Sequence, residues 1–315
     1  MGIYHGKNAR LLIGGYDISA LALGVTPVQE REMKPYAILD GVNGYHQMPG
    51  LFKDILSING LFDDTYMIVL TALWGSSTGY QVIVPLGGST LGTRCLAVNA
   101  ARLQKYASNT VVTDISKLSA DLIAENLMWE ETRLLEWATR TVTDAEAAID
   151  DAAASIDGGA AYLQAYDIGV DDTIGVTLQH SSNAIDFVDI AGLNFTVIDG
   201  SVSTRGTERK VFSGLDSGSD LTEDLDATET GIDVTNGTHF TNGQTIKIDN
   251  EKMLISNIVA NTLTVTRGYD GTTAAIHTIT TSIYIWDIQR YIRARWYFGG
   301  TTPYTATIIV VWKRY

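Results

Sequence analysis

The stretch FTNGQTIKIDNEKMLISNIVANTLTVTRGYDGTT (residues 240–273) reads as a complete small β-module. QTIKI turns at Asp249-Asn250 into EKMLISNIV, Asn261 leads into TLTVTRG, and Asp270-Gly271 makes the next turn. Three such strands with one apolar face form a sheet that is marginal alone, so the module is expected to dock on something larger. It stands between TERKVFSG (207–214) and IQRYIRARWYFGG (288–300), which look like two parts of one other domain. The chain therefore interrupts one β-domain with another.

Upstream, YLQAYDIG (162–169) and TIGVTLQH (173–180) begin the interrupted domain. In the second of these, Ile174, Val176 and Leu178 alternate with Thr173, Gly175 and Thr177, as in a half-buried strand. Downstream, Ile292, Ala294, Trp296 and Phe298 share one face of a strand, and TATIIVVWKRY (305–315) closes the domain. The insert spans 215–287, and its lead-in DSGSDLTEDLDATETG (216–231) is polar and acidic, which predicts a flexible segment. Residues 139–159, rich in Ala, Asp and Gly without an aromatic residue, read as a linker.

The first 138 residues read as strands around one helix. ARLLIGGYDISAL (9–21) gives strand, Gly-Gly turn, strand. AILDGVNGYHQMPGLFKD (37–54) carries Asp40-Gly41 and Asn43-Gly44 and predicts a long exposed loop or arm. DDTYMIVLTALW (63–74) is the helix, with carboxylates at its start and Gly75 after its end. YQVIVPL (80–86), TRCLAVNAARLQKYA (93–107) and the stretch 109–129 follow as strands. The division is thus 1–138, a linker 139–159, a discontinuous second β-domain (160–214 and 288–315), and the insert 215–287.

Chemistry is sparse. One cysteine, Cys95, excludes an internal disulfide framework and any multi-cysteine zinc site within the chain. Gly75-Ser76-Ser77-Thr78-Gly79 fits the nucleophile-elbow spacing, but a helix precedes it and a strand follows, the reverse of what that elbow needs. His5, His46, His180, His239 and His277 are scattered and read as surface or loop residues. Asp224, Asp226 and Thr228 begin like a calcium loop, but Glu229 and Thr235 stand where Gly and Glu are required. No phosphate- or dinucleotide-binding fingerprint occurs, no cofactor or metal is implied, and no run is apolar enough for a membrane span. The chain does not read as an enzyme.

Net charge is −14, and residues 144–233 hold 19 Asp/Glu against Arg205, Arg209 and Lys210. Such a surface repels nucleic-acid backbones. Arg290, Arg293 and Arg295, with Lys313-Arg314, are the basic counterweight, expected to meet the acidic surface between domains or between subunits.

With these pieces in place, RLLIGGYDISAL, HQMPGLFKDILSINGLFDD (46–64) with the helix after it, and VIVPLGG followed by CLAVNAARLQKYA resemble the tail tube (major tail) proteins of long-tailed, siphovirus-like bacteriophages. The second domain (YLQAYDIG…VTLQHSS…FVDIAG…RYIRARWYF) resembles the C-terminal β-domain of many such proteins, and 240–277 is similar to a module of phage virion proteins. The resemblance implies a mainly β, tail-tube-type barrel or sandwich with one short helix, a second β-domain, and a small β-module on the tube exterior. It implies a virion protein of the tail, assembled in the host cytoplasm, whose rings stack with themselves and other tail proteins into a tube passing DNA without specific binding.

The loop Gly41, Val42, Asn43, Gly44, Tyr45, His46, Gln47, Met48, Pro49 and Gly50 would then reach the next ring. A trimer supplies six barrels if both major domains are barrel-like, and it is the favoured ring because the second domain is comparable in size and the linker is long. A hexamer is the alternative if only the first domain is barrel-like. The alternative is another virion component, such as a decoration, baseplate or receptor-binding protein, with a sandwich that binds carbohydrate through Trp296 or Tyr304.

Overall fold

In the computed structural model, the structure describes residues 10–20, 22–37, 45–61, 64–86, 91–109, 116–125, 128–300 and 302–315. The first body contains β1 (Leu12–Ile13), β2 (Tyr16–Asp17), β3 (Ala22–Ala37), β4 (Tyr45–Leu61), α1 (Asp64–Gly75), β5 (Tyr80–Pro85), β6 (Arg94–Asn109), β7 (Lys117–Glu125) and β8 (Met128–Arg140). Gly14 and Gly15, at φ +59° and +81°, make the tight β1–β2 turn that the sequence signals. Val69, Leu70 and Leu73 of α1 pack onto Leu56, Ile58, Val82, Leu96, Val98 and Leu122, so the helix closes one face of the sheet.

The second body begins with β9 (Asp144–Ala145), β10 (Ile149–Asp150), β11 (Gly159–Tyr166), β12 (Asp172–Ser181), β13 (Val188–Asn194), β14 (Ile198–Asp199) and β15 (Arg205–Val211). The insert supplies β16 (Leu215–Asp220), β17 (Gly231–Asp233), β18 (Thr245–Ile248), β19 (Glu251–Val259), β20 (Thr262–Thr266) and β21 (Ser282–Ile285), and β22 (Tyr291–Gly300) and β23 (Ala306–Arg314) return to the second body. The protein is mainly β, with one α-helix among the described residues and several antiparallel sheets.

The two major bodies share one eleven-stranded sheet, whose main path is β15-β11-β23-β8-β6-β5-β1-β2. The last strand of the chain joins them: β23 pairs with β8 from Ala306–Arg140 to Trp312–Thr132. Ile308, Val310 and Trp312 point into a core shared with the six-stranded sheet of β9, β10, β12, β13, β14 and β22. Ile309 and Val311 point the other way, against Leu12, Ile83, Cys95, Ala97, Trp137 and Tyr162. Because β8 carries a bulge between Leu135 and Ala138, it sends Leu135 into one core and Trp137 into the other. The sheet curls but is not a closed barrel. Its ends meet through side chains: Gln164 Nε2 donates to the Gln81 carbonyl (3.0 Å), Gln81 Nε2 to the Glu208 carbonyl (3.1 Å), and Arg205 to Tyr16 Oη (2.6 Å).

Two stretches differ from the sequence reading. Of residues 139–159, expected as a linker, the first two end β8, and 144–150 run along the outer edge of β22: Asp144 and Ile149 pair with Trp296 and Ile292, and Glu146 N donates to the Ala294 carbonyl (2.9 Å). Those bonds are made by backbone, which composition does not reveal. The acidic lead-in is likewise built rather than flexible, since β16 pairs with β21 and β17 with β20. Its carboxylates accept backbone N–H groups that turns leave over: Asp216 from Gly218, Glu223 from Asp233, Asp224 from Ile279, and Asp226 from Thr228 and Glu229. The insert is therefore a six-stranded unit with its own core of Leu221, Leu225, Ile232, Phe240, Ile246, Met253, Leu263 and Ile283, where three strands were expected.

Glu251 and Arg267 hold that unit together. The Glu251 side chain is fully buried and takes hydrogen bonds from Arg267 Nε (2.8 Å) and Nη2 (2.9 Å) and from the Gly268 and Ala275 amides, with His277 Nε2 at 2.9 Å. Arg267 also reaches the carbonyls of Asp226, Glu229 and Ala275. His277, expected at the surface, is buried in this network, and His180 is buried in the second body. Burial alone raises the Glu251 pKa. The Arg267 bonds, then those from Ala275, His277 and Gly268, outweigh that and hold it at about 2.

The insert's first and last strands pair at Leu215–Ile285, so its ends lie about 5 Å apart. Replacing 215–285 by a short Gly-Ser turn should leave a cooperatively melting β-protein by circular dichroism, and aggregation or loss of the melt would contradict the separate core. Glu251 is depressed from its ordinary value of 4.5 to about 2, so its contribution is present above pH 4.5 and lost as pH falls towards 2. The expected loss is about 3 kcal/mol in the insert's unfolding free energy across that window, and Glu251→Gln should be less stable at pH 7 and flatter with pH.

Candidate assembly surfaces

The longest pairing in the molecule is β3 with β4, from Ala22–Gly60 out to Ala37–Tyr45. The arm expected at 37–54 is thus mostly strand: Tyr45, His46, Gln47, Met48, Pro49 and Gly50 open β4, while Gly41, Val42, Asn43 and Gly44 lie outside the described residues. Among the described residues β4 meets β7 only over Asp54–Leu61. Residues 45–53, with their partners on β3, therefore form a two-stranded ribbon running about 30 Å past the sheet at 3.3 Å per residue. Proline fits this placement. Pro27 and Pro35 lie on β3, which pairs with β4 alone, and Pro49 lies where β4 has no second partner among the described residues. Sequence turn signals located the arm. They could not show that its base continues as a ladder, because the long polar-apolar mixture of 45–53 alternates weakly.

On the body of the sheet, α1 presents Ile68 and Trp74, 60% and 62% exposed, and Trp74 meets Tyr106 edge-on at 6.0 Å. The helix carries no charged residue after Asp64. A helix apolar on its outer side as well as its inner one is usually covered by something.

The basic candidates are placed separately. Arg290 makes a two-pronged pair with Asp150 at 2.6 Å for each contact, tying β10 to the start of β22 within one chain. The hydrogen bonds from Arg290, then that from the Ala152 amide, hold the Asp150 carboxyl below its ordinary range. Arg293 donates to Gln179 Oε1 (2.9 Å) and lies 3.9 Å over the Phe187 ring. Burial and then the adjacent Arg295 push its pKa down. Arg295 is exposed and has no ion pair among the described residues.

Trp296 is buried, donates to the Val142 carbonyl (2.7 Å), and so is closed to a sugar, while Tyr304 stacks on Phe298. Gly75–Gly79 forms a turn in which Ser76 Oγ accepts from the Gly79 amide (2.9 Å), with the helix before it and β5 after it. Among the described residues no group of three His, Cys, Asp or Glu side chains is placed to hold a metal, and no helix is long and apolar enough to cross a membrane.

No protein-family model and no curated protein matches the chain. Among solved structures it is similar to a chain of the PVC sheath–tube complex of an extracellular contractile injection system (15% identity, TM-score 0.32, 41% of this chain and 91% of that one). It is also similar to a chain of the native gene transfer agent virion (12%, 0.31, 40% and 98%). The SPP1 Dit protein, described as a hub adsorption apparatus of phages infecting Gram-positive hosts, is similar over 98% of this chain and all of that one (11%, 0.31).

Because Arg290 and Asp150 are both about 45% exposed, water screens their pair. Arg290→Gln should leave the melting temperature unchanged within error in a thermal scan. A clear drop would mean the pair is shielded, as it would be inside an interface.

Proposed function

We propose that this chain is a structural subunit of a phage tail, whose first body forms rings that stack into a tube through which DNA passes. The observation that carries the reading is the β3–β4 ribbon. A two-stranded ribbon about 30 Å long is marginal in water, and among the described residues β3 has a long backbone edge with no partner strand. Both conditions are relieved if neighbouring copies cover them, and the sequence resemblance names the kind of assembly that does so. Only one ribbon and one helix occur per chain among the described residues, which favours a ring of six chains over one of three. The uncharged outer side of α1 is a second surface for a neighbouring copy or another tail protein. No catalytic role is assigned.

A second reading is a terminal ring or baseplate component. Its support is the bulk of the chain beyond β8, since residues 141–315 add a second sheet and the insert to the strands they contribute to the shared sheet.

Negative-stain electron microscopy of the purified protein across a range of concentrations tests both. Long tubes of uniform bore with six-fold end views are expected for the tube subunit, and single closed rings at every concentration for the terminal component. Monomers at all concentrations would count against both. Deleting residues 41–50 should give folded protein that no longer stacks. Unchanged tubes from that deletion would remove the ribbon from the stacking role.

A further inference from the structure

The outer face of the insert's sheet carries a set of groups that neither its core nor the proposed assembly uses. Ile283 and Ile285 of β21 turn inwards, which sends Ser282, Tyr284 and the following Trp286 outwards. Ile246 and Ile248 of β18 are fully buried, so Lys247 stands outwards and pairs in register with Tyr284. Asp249 follows at the β18–β19 turn. Together with Ser213 these residues line an open cleft of about 310 Å³, at the low end of small-ligand sites.

The geometry fixes the chemistry of the cleft. Trp286 is held edge-on against Phe212 at 5.0 Å, with the backbone of Gly214 close to its ring. Lys247 Nζ lies 4.1 Å from the centre of the Trp286 ring and forms no ion pair among the described residues. The Asp249 side chain is 59% exposed; one oxygen bonds His277 Nδ1 at 2.8 Å, which leaves the other for a ligand. Tyr284 is 36% exposed and lines the cleft.

We propose that this face binds a neutral saccharide. A sugar ring has an apolar C–H face that packs on an aromatic ring and a rim of hydroxyls that both donate and accept. The cleft offers the aromatic surface of Tyr284, a pure donor in Lys247, a pure acceptor in Asp249, and hydroxyls at Ser213 and Ser282. The two charges cancel, so an anionic ligand meets Asp249 and a cationic one meets Lys247, whereas a neutral polyol is opposed by neither. This inference is independent of whether the chain builds a tube or a terminal ring.

The test titrates the full-length protein with glucose, galactose, N-acetylglucosamine and their β-linked disaccharides, read by tryptophan fluorescence and saturation-transfer NMR, with N-acetylneuraminic acid as the charged comparison. At least one neutral sugar should bind saturably with a Kd of about 1 mM or tighter. Tyr284→Ala and Lys247→Gln should each weaken it about tenfold, with the melting temperature unchanged. The proposal is overturned if no neutral sugar saturates, if both variants bind as the parent does, or if the acidic sugar binds better than every neutral one.

Discussion

The architecture depends on one strand that is buried on both faces. β23 closes the chain, yet it lies in the middle of the shared sheet, between β8 of the first body and β11 of the second. From Ile308 to Trp312 every residue is buried, with alternate side chains feeding separate cores. A strand with only one buried face would leave one of those cores open. The pairing joins residues 132–140 to 306–312, so nearly everything between is suspended from it. Long closures of this kind raise the entropy cost only slowly with length, which is why a whole inserted unit can sit inside the loop.

The ends of the same sheet are joined differently. Gln81, Gln164, Tyr16 and Arg205 connect β15 and β11 to the β1–β2 turn and β5 with side-chain hydrogen bonds, not with a ladder. Gly15 is required at this seam: its φ is +81°, and an added Cβ would lie 2.9 Å from the Ala165 carbonyl oxygen. Side-chain closure fixes the curl while leaving the ladder open. Among the described residues the backbone edge at β3 therefore has no partner strand, and that edge is what makes a solitary copy look unfinished.

Much of this was legible in the residues. The alternation in 173–180 and 292–298, the helix at 64–75, the Gly14-Gly15 turn and the Asp249-Asn250 turn are all local signals, and local physics produced them. What could not be read was decided by backbone pairing over long distances. Ala145 and Ile149 look like linker residues because a backbone ladder to β22 leaves no mark on side-chain type. His277 looked like a loop residue because its partners, Glu251 and Asp249, are 26 and 28 positions away. The binding cleft was half legible. SIYIWDI (282–288) alternates, but the meeting of Tyr284 with Lys247 needs the β18–β21 register.

The charge distribution changes meaning once the fold is known. An excess of carboxylates between 144 and 233 invites the idea of an acidic wall facing passing DNA. In the structure many of these carboxylates are acceptors for turn amides or partners of arginine, as at Asp150, Glu223, Asp224 and Asp226. The face of β6 and β7 opposite α1 carries Arg102, Lys105 and Lys117 against Asp121. Acidity here is in large part the chemical cost of building many tight turns from short strands, because each turn leaves amides that a carboxylate satisfies well. Net charge therefore says more about how the second body and the insert are constructed than about what the first body faces.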